Sequence, residues 1–492
     1  MITTEQLRTC VSEGLERIKK IKNVVEAEVF ASWNEQIVNR LNYTSDIPCQ
    51  GVQEPKSIQF YGVGVLAAFK SGNKIKVGFG SEPNDLSVRG VLEALKKARM
   101  NKISDPDYKS LPEPQGTPTL TNYHDVNVME ISDEKVVNLG WQALQGTLSS
   151  YSAKGFSKSL IVGGDVTIFK ERMAIRNTRG IDDFDETSIL TATITSMIED
   201  EGVKGTGWNT ATHLDKFKPE EAGKEAAESA IRTIGGQRIA SGAYDVIFGR
   251  QPVTDLVGNL IAPSLSLISV NASDTPFLRK LGQRVCSPNI TVYDDGAMPG
   301  QIGSKRITCE GIPTGRTDLI TDGIITGFLT NDYYNKKLQS NLASFTPRNG
   351  FRFSLGGRNY NMQTKVSPTN VVIEGREEIP DKELLSLVKE GIYIGRIWYT
   401  YPVNGLAVGD FTSTIVADSY LIKDGKLLAP LKPNAVRINS NINHVLNNII
   451  GITKEKKATL VWGGEEVVVA PEIAVKGVRL DSIANESTSF ES

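Results

Sequence analysis

The chain has 492 residues, 39% of them hydrophobic, which is enough apolar surface for the cores of roughly two to four domains. Its 55 Lys and Arg residues nearly balance 57 Asp and Glu residues, so no overall field draws it to nucleic acid or to an anionic membrane. Four scattered cysteines form no Cys-x-x-Cys pair, which predicts a reducing, cytoplasmic setting. No apolar run approaches the ~18 residues that cross a bilayer, so we expect no membrane contact.

The first block, residues 1–103, combines helical and strand patterns and predicts one α+β domain. Apolar residues recur at helical spacing over residues 3–22, and a second helix is expected to begin near Asp85, whose carboxylate suits the free amides of a helix start. Alternating, β-branched composition predicts strands over residues 24–31, 36–43, 60–69 and 74–80.

A proline-rich stretch, residues 104–122, predicts an extended linker, because proline removes backbone donors and prevents helix. The second block, residues 123–236, is predicted to be a strand-rich α+β domain. A helix is expected near Ser132 and another from about Pro219 to Ile234. Between them, residues 186–199 alternate so that one face of a strand packs and the other is polar.

The third block, residues 237–478, is rich in turns and predicts antiparallel sheet. Asp322-Gly323 and Asp424-Gly425 each separate two apolar runs, and both pairs tolerate the positive φ that a tight hairpin needs. Residues 479–492 are small and polar and are expected to form a disordered tail. The predicted fold class is therefore α+β, with large, mostly antiparallel sheets and flanking helices.

Histidine is scarce, which restricts the metal chemistry open to this chain. His124, His213 and His444 are isolated in sequence, whereas a zinc peptidase needs converging ligands and a glutamate that takes a proton from bound water. Asp294 and Asp295 could pass for paired catalytic carboxylates, but they end a strand and precede a turn. The residues therefore predict no catalytic, metal or cofactor-binding motif in this chain.

The third block resembles the C-terminal part of the TldD/PmbA proteins, a family whose members carry the label of DNA gyrase modulators. The similarity covers about 230 residues and consists of short segments in the same order. These segments are Tyr244-Asp-Val-Ile-Phe-Gly249, Gly282-Gln-Arg-Val285, Ile290-Thr-Val-Tyr-Asp-Asp-Gly296, Gly300-Gln-Ile-Gly-Ser304, Glu310-Gly-Ile-Pro-Thr-Gly-Arg-Thr317, Leu319-Ile-Thr-Asp-Gly-Ile-Ile-Thr-Gly-Phe-Leu329, Thr369-Asn-Val-Val-Ile-Glu-Gly375, Gly409-Asp-Phe411 and Tyr420-Leu-Ile-Lys-Asp-Gly-Lys426.

The resemblance also identifies what this chain lacks. In the TldD branch, a helix after the counterpart of residues 244–249 bears His-Glu-x-x-x-His, and a C-terminal cysteine supplies a further zinc ligand. A gapless placement puts Gly258, Asn259 and Pro263 at those three positions, and residues 453–478 contain no cysteine. A shifted placement does not restore the motif, because no histidine occurs between His213 and His444.

By resemblance, the chain is expected to be a non-catalytic PmbA/TldE-like subunit. Such a subunit pairs with a TldD-like catalytic subunit, which holds the zinc, and the pair degrades or trims unfolded peptides. The chain could instead pair with itself. Two other readings stay open, namely an autonomous peptidase whose first suspects are His124, His213, Asp294 and Asp295, and a homodimeric peptide-binding or scaffold protein.

Overall fold

The computed structural model describes residues 2–47, 51–72, 74–354, 356–460 and 467–483. Elements of the first half are, in chain order, α1 (Thr4–Ile18), β1 (Val24–Thr44), β2 (Gly51–Val52), β3 (Lys56–Ser71), β4 (Lys74–Pro83), α2 (Val88–Met100), β5 (Ile103–Ser104), α3 (Val126–Met129), α4 (Asp133–Ser152), β6 (Leu160–Asn177), β7 (Asp182–Ile198), β8 (Val203–Ala211) and α5 (Pro219–Arg232).

One antiparallel sheet contains every described strand of the first half, in the order β5-β4-β3-β1-β6-β7-β8, with β2 against β1. Its centre is the pairing of β1 with β6, which runs from Glu28 opposite Asn177 to Thr44 opposite Ile161. The predicted blocks 1–103 and 123–236 therefore contribute to the same sheet. Their limits as domains stay a prediction.

The strands are longer than predicted, because polar residues inside them have buried partners. Residues 24–31 and 36–43 belong to the single strand β1. Between them, the Asn34 amide donates to the carbonyl oxygen of Arg358 at 2.9 Å, and the Glu35 carboxylate pairs with the Lys170 ammonium at 2.8 Å. A polar run that looks like a strand end is thus accommodated in the strand interior.

Helices cover one face of this sheet, which we call the outer face. Leu7 and Val11 of α1 pack there with Trp33, and farther along the sheet Leu139 of α4 packs with Ile37. Helix α4 begins near Ser132 as predicted, and the Ser132 hydroxyl caps it by accepting from the amide of Lys135. The opposite face, which we call the inner face, turns towards the second half of the chain.

Elements of the second half are β9 (Gly242–Phe248), α6 (Arg250–Leu256), a π-helical turn (Val257–Ile261), α7 (Ala262–Ser264), α8 (Leu267–Ala272), β10 (Ile290–Asp295), β11 (Arg316–Thr321), β12 (Ile324–Ile325), α9 (Asp332–Leu338), β13 (Gly350–Phe351), β14 (Phe353–Ser354), β15 (Gly357–Arg358), β16 (Lys365–Val366), β17 (Asn370–Gly375), α10 (Asp381–Leu387), β18 (Glu390–Pro402), a 3₁₀ turn (Leu406–Val408), β19 (Asp410–Lys423), β20 (Lys426–Pro430), β21 (Val436–Asn441), α11 (Ile442–Asn447), β22 (Ile449–Ile452), β23 (Lys457–Leu460), β24 (Val467–Ala470) and β25 (Ile473–Ser482).

Two larger sheets organise this half. Strands β18, β9, β25, β21 and β19 pair in that order, and β19 also pairs with β18, so these strands close into a ring. The other sheet has the order β12-β11-β10-β17-β24-β23. Both predicted hairpins form, and Asp322, Gly323, Asp424 and Gly425 all have positive φ. The α+β class with mostly antiparallel sheets is confirmed.

Buried ion pairs attach the second half to part of the inner face. The Arg358 guanidinium contacts the carboxylates of Glu171 and Asp185, and none of the three side chains is more than 4% exposed. Arg352 and Glu28 form a further buried ion pair, and both side chains are almost fully buried. Burial alone would raise the pKa of Glu171. The charges of Arg358 and Lys305, together with hydrogen bonds from the Arg358 amide and the Thr187 hydroxyl, outweigh burial and hold that pKa below its ordinary value.

The C-terminal segment forms a strand where the sequence predicts the start of a tail, and the described cysteines are free thiols. Strand β25 runs to Ser482, past the predicted tail start at residue 479, and residues 484–492 lie outside the described residues. Cys10, Cys286 and Cys309 are buried free thiols, and Cys49 is also outside the described residues. In the described parts of the chain, no helix combines the length and apolar character that a membrane span requires.

Candidate functional site

A cavity of about 580 Å³ lies between the uncovered part of the inner face and the second half of the chain. Four strands of the large sheet form one wall, and α6 with β18 forms the other. The lining residues are Gln36, Val38, Arg40, Asp165, Thr167, Phe169, Thr191, Thr193, Thr206, Gly207, Trp208, Thr210, Gln251, Thr254, Asp255, Arg396, Ile397, Trp398, Val416, Thr459 and Leu460.

The sheet wall is built from two cross-strand rows that are mostly polar. One row crosses β1, β6, β7 and β8 at Val38, Thr167, Thr191 and Thr210, and the adjacent row crosses the same strands at Arg40, Asp165, Thr193 and Trp208. Side chains two residues apart on a strand share a face, so both rows project into the cavity. The polar face that alternation in residues 186–199 predicts is therefore one wall of the site.

The helical wall is held in place by its own side chains. Gln251, Thr254 and Asp255 have the spacing of one helical face. Gln251 accepts a hydrogen bond from the amide of Ile397 at 2.9 Å and donates to the carbonyl oxygen of the same residue at 3.3 Å. This pair of bonds fixes α6 against β18.

Asp255 is a buried carboxyl group at the cavity surface. The residue is 6% exposed, and the Thr400 hydroxyl donates to its Oδ2 at 3.2 Å. Thr400 is itself bonded to the Ser413 hydroxyl at 2.8 Å. Burial raises the pKa of Asp255 to about 7, because within the described residues no cation pairs with it to favour the charged form. Near neutral pH this group can therefore hold or release a proton.

At another point of the cavity, two cations lie against one tryptophan. The Arg396 guanidinium is 4.3 Å from the centroid of the Trp208 ring, and the Lys457 ammonium is 4.0 Å from it. Both cations also pair with the Glu225 carboxylate, at 2.5 and 2.8 Å. Their charges are thus engaged by a carboxylate and by the negative faces of the indole.

Two buried polar atoms of the lining have no hydrogen-bond partner among the described residues. These are the indole Nε1 of Trp208 and the hydroxyl oxygen of Thr459. A buried donor that lacks a partner costs about 1–3 kcal/mol, so such atoms are normally satisfied by water or by a ligand.

The three positions matched to the zinc motif follow directly after Asp255. Gly258 and Asn259 lie in the π-helical turn and Pro263 lies in α7. Gly258 and Pro263 line a separate cavity of about 180 Å³, and the Asn259 amide donates to the carbonyl oxygen of Asp255 at 3.0 Å. Residues five apart approach each other across a π turn, whose hydrogen bonds join residue i to residue i+5. The local backbone thus suits a His-Glu-x-x-x-His spacing, although the side chains do not.

These residues do not fit zinc. Glycine and proline have no side-chain donor, and the Asn259 amide is neither a zinc-binding thiolate, imidazole or carboxylate nor a general base. Within the described ranges, no group of three or more His, Cys, Asp and Glu side chains is placed to hold a metal ion. No catalytic step through zinc is derived for this chain. The assignment of Gly258, Asn259 and Pro263 to the three motif positions stays a prediction.

The suspects for an autonomous peptidase have separate contacts, and the buried Nδ1 of His124 has no hydrogen-bond partner among the described residues. His213 bonds the Thr212 hydroxyl at 2.8 Å, His124 stacks edge-on against Tyr123, and His444 bonds the carbonyl oxygen of Lys476 at 3.0 Å. None of the contacts described for these histidines reaches Asp294 or Asp295.

Both carboxylates of that pair serve the loops around β10. Asp294 is buried and accepts from the Asn349 amide and from the backbone amide of Thr369, each at 2.7 Å. Burial raises the pKa of Asp294 to about 6. Asp295 accepts from the amide of Ala297 at 2.9 Å, as a carboxylate in a turn does. Asp295 therefore has the turn role that the sequence suggests, whereas Asp294 joins β10 to distant segments at Asn349 and Thr369.

Sequence reasoning missed Asp255, Arg396 and Trp208. The available signal for Asp255 was one acidic residue in the run from Pro252 to Ile261, whose other polar side chains are only Thr254 and Asn259. A charged residue in a buried helix needs a special reason. Arg396 and Trp208 carry no comparable signal, since they meet only through the packing of the two halves.

The fold is that of known TldE and gyrase-modulator structures. TldE from Thermococcus kodakarensis superposes with a TM-score of 0.77 at 19% identity, covering 97% of this chain and 100% of that one. A Thermotoga maritima protein whose structure is described as a modulator of a DNA gyrase superposes with a TM-score of 0.76 at 19% identity and the same coverage.

Comparison of the sequence with known proteins identifies the family. Residues 241–482 match the family described as the PmbA/TldA metallopeptidase C-terminal domain. A metalloprotease TldD homolog from Haemophilus influenzae is 24% identical over an alignment of 450 residues that covers 87% of each chain. The chain belongs to the TldD/PmbA family.

Proposed function

We propose that this chain is a non-catalytic, PmbA/TldE-like subunit of a cytoplasmic TldD/TldE-type metallopeptidase that degrades or processes unfolded peptides. One observation carries the proposal. The helix after β9 contains a π turn that suits the family's histidine spacing, yet Gly258, Asn259 and Pro263 supply neither a zinc ligand nor a general base.

In this proposal the two subunits have different roles. A TldD-like subunit holds the zinc and activates water, and this chain adds a wall that limits access to extended peptides. The cavity between its two halves supports such a role, because its threonine-rich surface offers hydroxyl donors and acceptors to a polypeptide backbone. The proposed assembly is a dimer of two related folds.

Zinc content and peptide cleavage test the proposal. The purified full chain, a TldD-like subunit from the same organism and their mixture are each measured for bound zinc by mass spectrometry and for cleavage of an unfolded peptide. We expect zinc in the TldD-like subunit and the mixture, with cleavage greatest in the mixture. Stoichiometric zinc together with cleavage by this chain alone would contradict the proposal.

A second candidate function is peptide binding by a homodimer without a catalytic subunit. The cavity of about 580 Å³ favours it, because a cavity of this size with hydroxyl groups on one wall can bind a ligand without help from a metal. Native mass spectrometry of complexes isolated from the cytoplasm separates the two candidates. A complex of twice the mass of this chain supports the homodimer, and a complex that contains a TldD-like chain supports the heterodimer.

A further inference from the structure

We propose that the cavity is a binding site for short peptides or other amines that carry a primary ammonium group, and that Asp255 is the carboxylate that recognises this group. The inference concerns residues of this chain alone. It holds whether the chain works with a TldD-like subunit or with a second copy of itself.

The Asp255 carboxylate in the cavity wall has no compensating positive charge among the described residues. A buried carboxylate is costly unless a cation or several hydrogen bonds compensate it. Asp255 receives one hydrogen bond, from Thr400, and the described residues provide no ion pair for it. A ligand ammonium beside Asp255 supplies the missing charge.

The other charged side chains of the lining neither neutralise Asp255 nor offer a carboxylate that is as buried. Arg40 is exposed on the sheet wall. Arg396 is paired with Glu225, and that carboxylate is shared with Lys457. Asp165 lies on the sheet wall, is partly exposed and accepts from the Thr167 hydroxyl at 2.8 Å. Asp255 is therefore the most buried carboxylate that the lining offers to a cationic ligand.

The size of the cavity and its hydrogen-bonding groups suit a ligand that carries an amide beside the ammonium group. A volume of about 580 Å³ lies within the roughly 300–1,000 Å³ of known small-molecule sites. The Thr191, Thr193 and Thr210 hydroxyls on the sheet wall can donate hydrogen bonds to the carbonyl oxygen of an amide. An ammonium group with a nearby amide carbonyl is the chemistry of a short peptide.

A bare divalent cation fits less well. Calcium takes roughly six to eight oxygen ligands, and magnesium usually keeps several waters beside one or two carboxylates. The lining beside Asp255 offers one carboxylate and the Thr400 hydroxyl, and the described residues contain no cluster of metal-binding side chains. A monovalent organic cation matches this single carboxylate.

Two matched pairs of probes test the proposal by isothermal titration calorimetry on the full chain. The first pair is Ala-Ala-Ala-amide and its N-acetylated form, which differ in the α-ammonium. The second pair is acetyl-Ala-Lys-Ala-amide and acetyl-Ala-norleucine-Ala-amide, which differ in a side-chain ammonium. We expect at least one amine to bind roughly tenfold or more tightly than its neutral match, as for a hydrogen-bonded charge. The pair that shows the difference identifies the source of the ammonium.

Variants then assign the recognition to Asp255. Asp255→Asn keeps the shape of the side chain and is expected to remove the preference for the amine. Asp165→Asn, which changes a carboxylate on the opposite wall, is the matched control and is expected to keep the preference. Circular dichroism verifies folding, and Asp255→Ser serves if the asparagine variant does not fold.

Three outcomes would overturn the proposal. These are failure of every probe to bind, equal affinity within both pairs, and a preference that survives in Asp255→Asn or disappears in Asp165→Asn. The zinc and cleavage assays described above do not depend on these results.

Discussion

The buried ion pairs of Arg358 make a quantitative prediction about how the two halves are joined. Arg358→Met removes a cation that contacts both Glu171 and Asp185, and leaves these two buried carboxylates without it. Breaking a buried pair by removing one partner costs about 3–5 kcal/mol. We expect the free energy of unfolding at pH 7.5 to fall by about this amount, measured by urea denaturation with circular dichroism and tryptophan fluorescence.

The loss should depend on pH in a definite direction. Arg358 lowers the pKa of Glu171 in the folded protein, so this pair contributes stability above the unfolded pKa, and the contribution is lost as pH falls through the folded value. Without Arg358, burial favours the protonated acid. The difference in stability between Arg358→Met and the unmodified protein should therefore be smaller at pH 4.5 than at pH 7.5.

An exposed pair provides the matched control. Arg479 pairs with Asp481, and their side chains are 57% and 30% exposed. Arg479→Met should change stability by less than about 1 kcal/mol. Adding Glu171→Gln and Asp185→Asn to Arg358→Met should recover part of the loss, because neutral amides are less costly to bury. Equal losses for Arg358→Met and Arg479→Met, or a loss for Arg358→Met that does not change with pH, would refute the reasoning.

Three more predictions follow from single sites. Folding raises the pKa of Asp255 from 3.8 to about 7, so the contribution of this group to stability falls as pH rises between those values. Asp255→Asn should remove this pH dependence and raise the free energy of unfolding at pH 8 by roughly 2–4 kcal/mol, measured by urea denaturation. Lys170→Met leaves the buried Glu35 carboxylate without its ion-pair partner and should lower the free energy of unfolding by about 3 kcal/mol. Adding Glu35→Gln should partly reverse this loss. Gly425 has a φ of 69° in its hairpin, a conformation that alanine adopts only with strain. Gly425→Ala should therefore lower the free energy of unfolding by about 1 kcal/mol, measured as a lower thermal midpoint. Gly395→Ala is not a suitable control, because its added methyl group would collide with Asp418.

Elements whose signals are local were predictable from the sequence. The Asp-Gly turns at residues 322–323 and 424–425 formed as expected, because the two residues themselves favour the positive φ of a tight hairpin. Helix α4 begins after Ser132 because that hydroxyl accepts from a free backbone amide at the helix start. The absence of a histidine between His213 and His444 is likewise a property of the sequence alone.

Features that depend on distant partners were not predictable. Strand β1 continues through Asn34 and Glu35 because Arg358 and Lys170, far away in sequence, bind these polar side chains. The same holds for the cavity, where Asp255 meets the threonines of the large sheet only after the two halves have packed together. Periodicity reports which face of an element is apolar, but it does not report what lies opposite.

The closed ring of strands in the second half constrains the order in which this half can assemble. Strand β9 pairs with β18 on one edge and with β25 on the other, and β25 is separated from it by more than 220 residues. During synthesis, one edge of β9 must therefore wait without its native partner until residues 473–482 have left the ribosome. Such late, long-range pairing slows folding and prolongs the exposure of strand edges to aggregation.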